Sequence, residues 1–133
     1  MCPSAARQND PVQGVDTHIV LVPSPGGPVP TPLPHQFSGR LTDGLSTDVL
    51  INGLPAATVG SVARNLPPHL PTPPGTSFSK PPTNQGTVQV GSLQVLINGK
   101  QAARMGDQVM SCNDPVDAPT ATITGGSQDV SIG

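Results

Sequence analysis

This chain repeats itself, and the repeat limits what it can become. Residues 46–60, STDVLINGLPAATVG, align with residues 92–106, SLQVLINGKQAARMG, at a constant offset of 46. Val49, Leu50, Ile51, Asn52, Gly53, Ala56, Ala57 and Gly60 thereby fall on Val95, Leu96, Ile97, Asn98, Gly99, Ala102, Ala103 and Gly106. Half units flank the two copies: SAARQND (residues 4–10) resembles QAARMGD (101–107), and GSQDVSIG (126–133) resembles GSLQVLING (91–99). Joined head to tail, the halves complete a third copy. Internal self-similarity of this kind means that each copy is one structural unit stacked on its neighbours. The expected object is pseudo-threefold, and it forms only if the terminal halves meet in space.

Each full copy reads as a β-hairpin. Two short aliphatic and β-branched runs flank Asn52-Gly53 or Asn98-Gly99, and Asn-Gly is the strongest local signal for a type I′ turn because both residues accept positive φ. Strands of about five residues are expected from such runs. Ala56-Ala57 and Ala102-Ala103 put small side chains where three copies converge, which suits a narrow, tapering prism. The remaining composition agrees with an all-β chain: 18 Pro and 15 Gly punctuate it, and its aromatics are Phe37 and Phe78, so the core must be aliphatic. Two proline-dense stretches, Pro23 to Pro34 and Pro67 to Pro82, separate the repeats. Proline at that density excludes helix and central strand, and the expectation is extended loops or coverings; a flexible polyproline module that binds recognition domains is the rival reading. The whole of residues 1–133 is expected to form a single domain.

Charge and hydropathy narrow the function. A net charge of −2 with six scattered basic residues offers no stripe to neutralise a row of phosphates, so nucleic acid is not an expected partner. No apolar run approaches the roughly 18 residues that span a bilayer, and MCPSAARQND lacks the apolar core of a signal peptide. The expectation is a chain that starts out cytoplasmic. Cys2 and Cys112 are too few for a disulfide scaffold in a reducing compartment. Metal binding or burial is the better reading of Cys112, and Cys2 reads as a near-terminal free thiol.

Four motifs in order, SAARQNDPVQG, VLINGLPAATVG, VLINGKQAARMGD and GSQDVSIG, with a cysteine soon after the second hairpin, resemble the PAAR-repeat proteins. These tip the spikes of type VI secretion systems and related phage-tail-like contractile injection machines. The resemblance implies an all-β fold: a small cone or prism of short β-hairpins with pseudo-threefold symmetry and, here, long proline-rich loops. It implies a flat base seated on a trimeric spike protein of the valine-glycine-repeat or phage spike type, one copy per trimer, with effector cargo recruited non-covalently and transient contact with a target membrane. It also implies extracellular delivery as part of the spike. The chain departs from the common pattern at PAATVGS, where Thr58 and Ser61 stand in place of the Arg and Asp found at Arg104 and Asp107; the loop geometry there is the part put in question.

The family's apex binds one structural zinc ion through three histidines and a cysteine, and the repeat phase points to the same residue types. His18 lies 12 residues after Ala6, His69 lies 12 after the equivalent Ala57, and Cys112 lies nine after the equivalent Ala103. Equivalent positions in a pseudo-threefold cone converge near its axis. His35 is the fourth candidate, although it has no repeat equivalent and Cys2 competes for its place. His18, His35, His69 and Cys112 would close a tetrahedral shell. A closed shell leaves no position for a reactive water, the sequence contains no Glu to act as general base, and no G-x-S-x-G occurs, so no enzymatic activity is expected. Asp16 is read as an outer partner that orients the ring of His18. An adaptor that carries a toxin on the spike is the alternative in a different functional class.

Overall fold

The computed structural model describes residues 2–133 and is all-β. Six strands close into a barrel-like sheet: β1 (Pro11–Val22), β2 (Val29–Asp43), β5 (Val62–Asn65), β7 (Gln85–Val88), β10 (Gln108–Ser111) and β11 (Ala118–Ile123). Each pairs with the next in the order β11-β10-β7-β5-β2-β1, and β1 returns to β11 through Val12↔Ile123, Gln13↔Thr122 and Gly14↔Ala121. A further strand, β6 (Ser77–Phe78), joins the same edge of β1 higher up, at Val20 and Leu21. Period-two alternation selects what faces inward. Val12, Asp16, His18 and Val20 of β1 are buried, as are His35, Phe37, Gly39 and Leu41 of β2.

The repeats form the other end. Two small hairpins carry the matched sequences, β3 (Leu50–Ile51) with β4 (Leu54–Pro55) and β8 (Leu96–Ile97) with β9 (Lys100–Gln101). Their turns have φ of 55° and 79° at Asn52 and Gly53, and 54° and 78° at Asn98 and Gly99, the I′ pattern expected from Asn-Gly. The third copy assembles from the chain ends: Ser4 bridges Ser131, the Ala5 amide donates to Val130 O, and the Ile132 amide donates to Pro3 O.

At the centre the symmetry is nearly exact in hydrogen bonds. The Ala6 amide donates to Ala103 O, the Ala103 amide to Ala57 O, and the Ala57 amide to Ala6 O, each at 3.0 Å. Nothing larger than a methyl fits three chains meeting this closely, and all three alanines are fully buried. Their neighbours Ala5, Ala56 and Ala102 face the opposite way and pack with Ile51, Ile97 and Ile132 in a second core beneath the barrel core. The hairpin tips interlock around the same ring. Asn52 accepts from Ser127 and donates to Asp129, Asn98 accepts from Ser46 and donates to Asp48, and Gly133 O accepts from Ser92.

The Thr58/Ser61 departure leaves the local turn unchanged. The Thr58 amide donates to Ser61 Oγ at 2.9 Å, as the Arg7 amide does to Asp10 and the Arg104 amide to Asp107. What the first copy lacks is only the ion pair that joins Arg7 to Asp10 and Arg104 to Asp107.

Two expectations need correction. The strands of the repeat hairpins, expected to run about five residues, have two each in β3, β4, β8 and β9, and the long strands lie outside the repeats, β1 with 12 residues and β2 with 15. The first proline stretch is also not simply a loop, since Pro30, Pro32 and Pro34 lie within β2. They occupy alternate positions opposite Leu21, Ile19 and Thr17, while the other side of β2 pairs with β5 only between Gly39 and Asp43. Prolines spaced by two all turn the nitrogen that lacks a hydrogen toward the open side, so the ladder with β1 survives. The exclusion of central strand stands. The second stretch is the expected covering, broken only by β6.

Candidate metal centre

Above the barrel core the inward rows become polar. β1 contributes Asp16 and His18, two residues apart and hence on one face. β2 contributes His35, whose Cα is the register partner of Asp16. The loop after β5 returns His69, held by its own amide donating to Asn84 Oδ1 at 2.8 Å. Cys112 follows β10, and the next residues dock on the open edge of β1. There the Asp114 amide donates to Thr17 O, while Asn113 Oδ1 and Asp114 Oδ2 accept from the Thr17 and Ile19 amides. The long β1 therefore has a purpose: its middle is the wall against which loops from three directions place side chains.

The three histidine rings lie 5.0 to 5.5 Å apart between centroids. Cys112 Sγ is 3.6 Å from His18 Nε2. Among the described residues, one donor atom each from Asp16, His18, His69 and Cys112 lies within 4.8 Å of the others, and all four residues are buried. This cluster could hold a metal ion. Two imidazoles, a thiol and a carboxylate are the donor types zinc accepts.

Three of the residues named from the sequence, His18, His69 and Cys112, thus have converging donor atoms. His35 has its ring beside theirs but its nitrogens engaged: Nδ1 donates to Leu33 O at 2.9 Å and Nε2 accepts from the Thr72 amide at 3.2 Å. Cys2 is exposed and is not among the clustered donors. Asp16 is the donor the sequence reading placed outside. Its spacing of two from His18 on an alternating strand was the available signal.

Electrostatics follow from burial. Desolvation lowers the pKa of His18, reinforced by the nearby His69, and desolvation likewise lowers that of His35, so both rings favour the neutral form a metal needs. Burial pushes the Cys112 thiol up to about 11, with the Asp16 carboxylate adding to the effect. A thiolate there requires a cation at the site. Asp114 stands behind His18, with Oδ2 3.5 Å from Nδ1 and Oδ1 3.4 Å from Lys80 Nζ. Burial alone would raise its pKa, but the Ile19 amide, His18 and Lys80 together hold it below the ordinary carboxylate value. At 3.5 Å its approach to His18 is an electrostatic contact, and among the described residues His18 Nδ1 makes no hydrogen bond. Asn65 fixes the tautomer of His69: its Oδ1 accepts from the Ser38 amide, so its Nδ2 donates to His69 Nδ1 at 3.2 Å, and the ring proton sits on Nε2, 2.9 Å from Asp16 Oδ2.

No curated protein matches the chain. The family model of the PAAR motif matches residues 79–133, which hold β7, the second repeat hairpin, Cys112, β11 and the closing half repeat. Residues 79–133 thus carry a PAAR motif, and the same hairpin recurs at residues 46–60 and is completed by the chain ends.

Proposed function

We propose that this protein is the zinc-stabilised tip that caps the trimeric spike of a type VI secretion-like or other contractile injection machine and helps open the target membrane. The PAAR motif supports the spike-tip role. The observation that carries the reading is the closed ring of Ala6, Ala57 and Ala103 amides and carbonyls, which gives a single chain a threefold face. A homotrimer presents three identical edges, and one such chain can meet all three. That face is also apolar where it should dock: Leu50 and Leu96, at the same repeat position, are 59% and 61% exposed. Short hairpin edges beside them are suited to strand addition by the spike's own sheets.

The role is mechanical and not enzymatic. Contraction elsewhere drives the spike forward, and the cone concentrates force, so the part must be stiff. A structural zinc held at His18, His69 and Cys112, with His35 at ring distance as the fourth residue of the sequence-derived set, would staple β1, β2, the loop after β5 and the loop after β10 to one another. Such ions contribute on the order of 10 kcal/mol of folding free energy in small metal-dependent units. Effector cargo, where present, rides non-covalently. The tip is delivered out of the producing cell with the spike, and no helix of the described residues is long and apolar enough to cross a membrane.

Co-purification with a trimeric spike protein of the valine-glycine-repeat type tests the reading. The expected result is capture by the spike, abolished by Leu50→Asp with Leu96→Asp and unaffected by Val29→Asp. Val29 begins β2, roughly 45 Å along that strand from its base end by the rise per residue. Equal capture of both variants, or none of the wild type, would overturn it.

A further inference from the structure

The ring of three copies has three seams between neighbours, and arginine fills two of them. Arg7 follows Ala5-Ala6 in the third copy, and its Nη1 donates to Asn52 Oδ1 at the tip of the first hairpin, at 2.9 Å. Arg104 follows Ala102-Ala103 in the second copy and donates to Gly133 O at 3.4 Å and to Gly91 O at 3.5 Å. Gly133 holds in the third copy the place that Asn52 holds in the first. The two arginine side chains are only 19% and 21% exposed. Each seam is thus a seat for a forked, planar cation, lined with oxygen acceptors.

The remaining seam joins the first copy to the second, and there Thr58 stands where the others carry arginine. The acceptors are nevertheless retained. Asn98 Oδ1 accepts from Ser46 as Asn52 Oδ1 does from Ser127, but among the described residues it has no second donor in the place of Arg7. Asn98 Nδ2 donates to Asp48 Oδ2 as Asn52 Nδ2 donates to Asp129 Oδ2. Leu45, at the repeat position of Gly91, lines the same space. Between these groups lies an open cavity of about 270 Å³. Pockets for drug-sized molecules begin near roughly 300 Å³, so this one suits a single side chain. Charge agrees with shape. The pKa of Arg7 is raised, first by its hydrogen bond to Asp10, and the charges of Asp10 and Asp129 add to this; Asp48 is the repeat equivalent of Asp129. Lys100 also lines the cavity, but an ammonium lacks the fork that could span Asn98 Oδ1 and the Leu45 carbonyl.

We infer that the seam between Thr58 and Asn98 binds an arginine side chain supplied by a partner protein, one per tip. The guanidinium takes the place that Arg7 and Arg104 take at their own seams, against Asn98 Oδ1, Leu45 O and the Asp48 carboxylate. The single copy follows from symmetry and rests on the trimeric-spike reading above. A homotrimer would present its arginine three times, and at the other two seams it would meet the like charges of Arg7 and Arg104. The occupant is therefore a protein that meets the tip once, as cargo does.

NMR titration of the isotope-labelled full chain with N-acetyl-arginine N-methylamide tests the seat. The Asn98 side-chain amide and the Thr58 backbone amide should shift and saturate while the Asn52 side chain stays still. The lysine analogue should bind about tenfold more weakly, the loss of one hydrogen bond to a charged group. Thr58→Arg puts the chain's own guanidinium in the seat and should abolish the shifts. Asp48→Asn covers the event that Thr58→Arg folds poorly, and should weaken binding about fivefold, as for an exposed ion pair. Equal binding of the lysine analogue, equal shifts at Asn52, shifts that survive Thr58→Arg, or unchanged affinity in Asp48→Asn would overturn the inference. A wild type that does not bind overturns it too, including the case where Lys100→Gln restores binding, because the seat is then filled from within. Saturation transfer to the same probe from the complex with a trimeric spike protein should persist and should vanish with Thr58→Arg. A spike that blocks the transfer overturns the single-copy step and assigns the arginine to the spike. A tip that binds no trimeric spike defeats that reading and the single-copy step with it, while the titration of the isolated chain decides the seat by itself.

Discussion

Replacing Gly14 by alanine probes whether β1 and β11 close the barrel. A Cβ at Gly14 would lie 2.4 Å from Thr120 O and 2.6 Å from Ala121 Cα, both backbone atoms that no rotamer change can move aside. Ordinary contact begins near 3.4 Å, so β11 must retreat by about 1 Å. The seam consists of only three register pairs, Val12↔Ile123, Gln13↔Thr122 and Gly14↔Ala121, which leaves nowhere to absorb the shift. Overpacking of this kind costs about 1–3 kcal/mol, and a stretched ladder bond adds about 1 kcal/mol. The lower chain entropy of alanine in the unfolded state returns about 1 kcal/mol. A net loss of about 2 kcal/mol should lower the melting temperature by about 6–10 °C for a domain of this size. Thermal unfolding followed by circular dichroism in excess zinc is the assay. Gly26→Ala is the control, since its added Cβ meets nothing within 4 Å and its backbone is not left-handed. A Gly14→Ala variant that melts with the Gly26→Ala control would show that the seam is open and the barrel reasoning false.

Two further outcomes follow from the turns and from the buried titratable groups. Gly53→Val and Gly99→Val should each destabilise by about 1–2 kcal/mol through backbone strain alone, because φ is 79° and 78° there while the added Cβ meets open space; unchanged urea midpoints would rule out the I′ turns. In chelator-treated protein, stability should fall as pH drops below the ordinary histidine value of about 6.5, since the unfolded chain binds protons that buried His18 and His35 refuse. It should also fall as pH rises from 9.0 toward about 11, where the unfolded chain releases a thiol proton that Cys112 retains. Urea midpoints flat across both windows would contradict this.

The repeat made most of the architecture legible. Asn52-Gly53 and Asn98-Gly99 announced the hairpins, the paired alanines announced the axis, and the two half copies announced that Ser4 and Ser131 meet. The same phase brought His18, His69 and Cys112 together from positions far apart in sequence. Where the repeat ended, legibility declined. Pro30, Pro32 and Pro34 are strand residues because of which edge of β2 they face, and that depends on β5 stopping at Asn65. Asp16 looked like an outer partner because a carboxylate two residues from a histidine serves either role. The hydroxyls that aim it, Ser111 and Thr120, come from β10 and β11.

The account rests on one chain providing a threefold face to a threefold partner, and the mass of the assembled tip measures that directly. Native mass spectrometry of the complex with a trimeric spike protein should give one copy of this chain per spike trimer, and the protein alone should be a monomer. Three copies per trimer, or a stable trimer of this chain in isolation, would contradict the account.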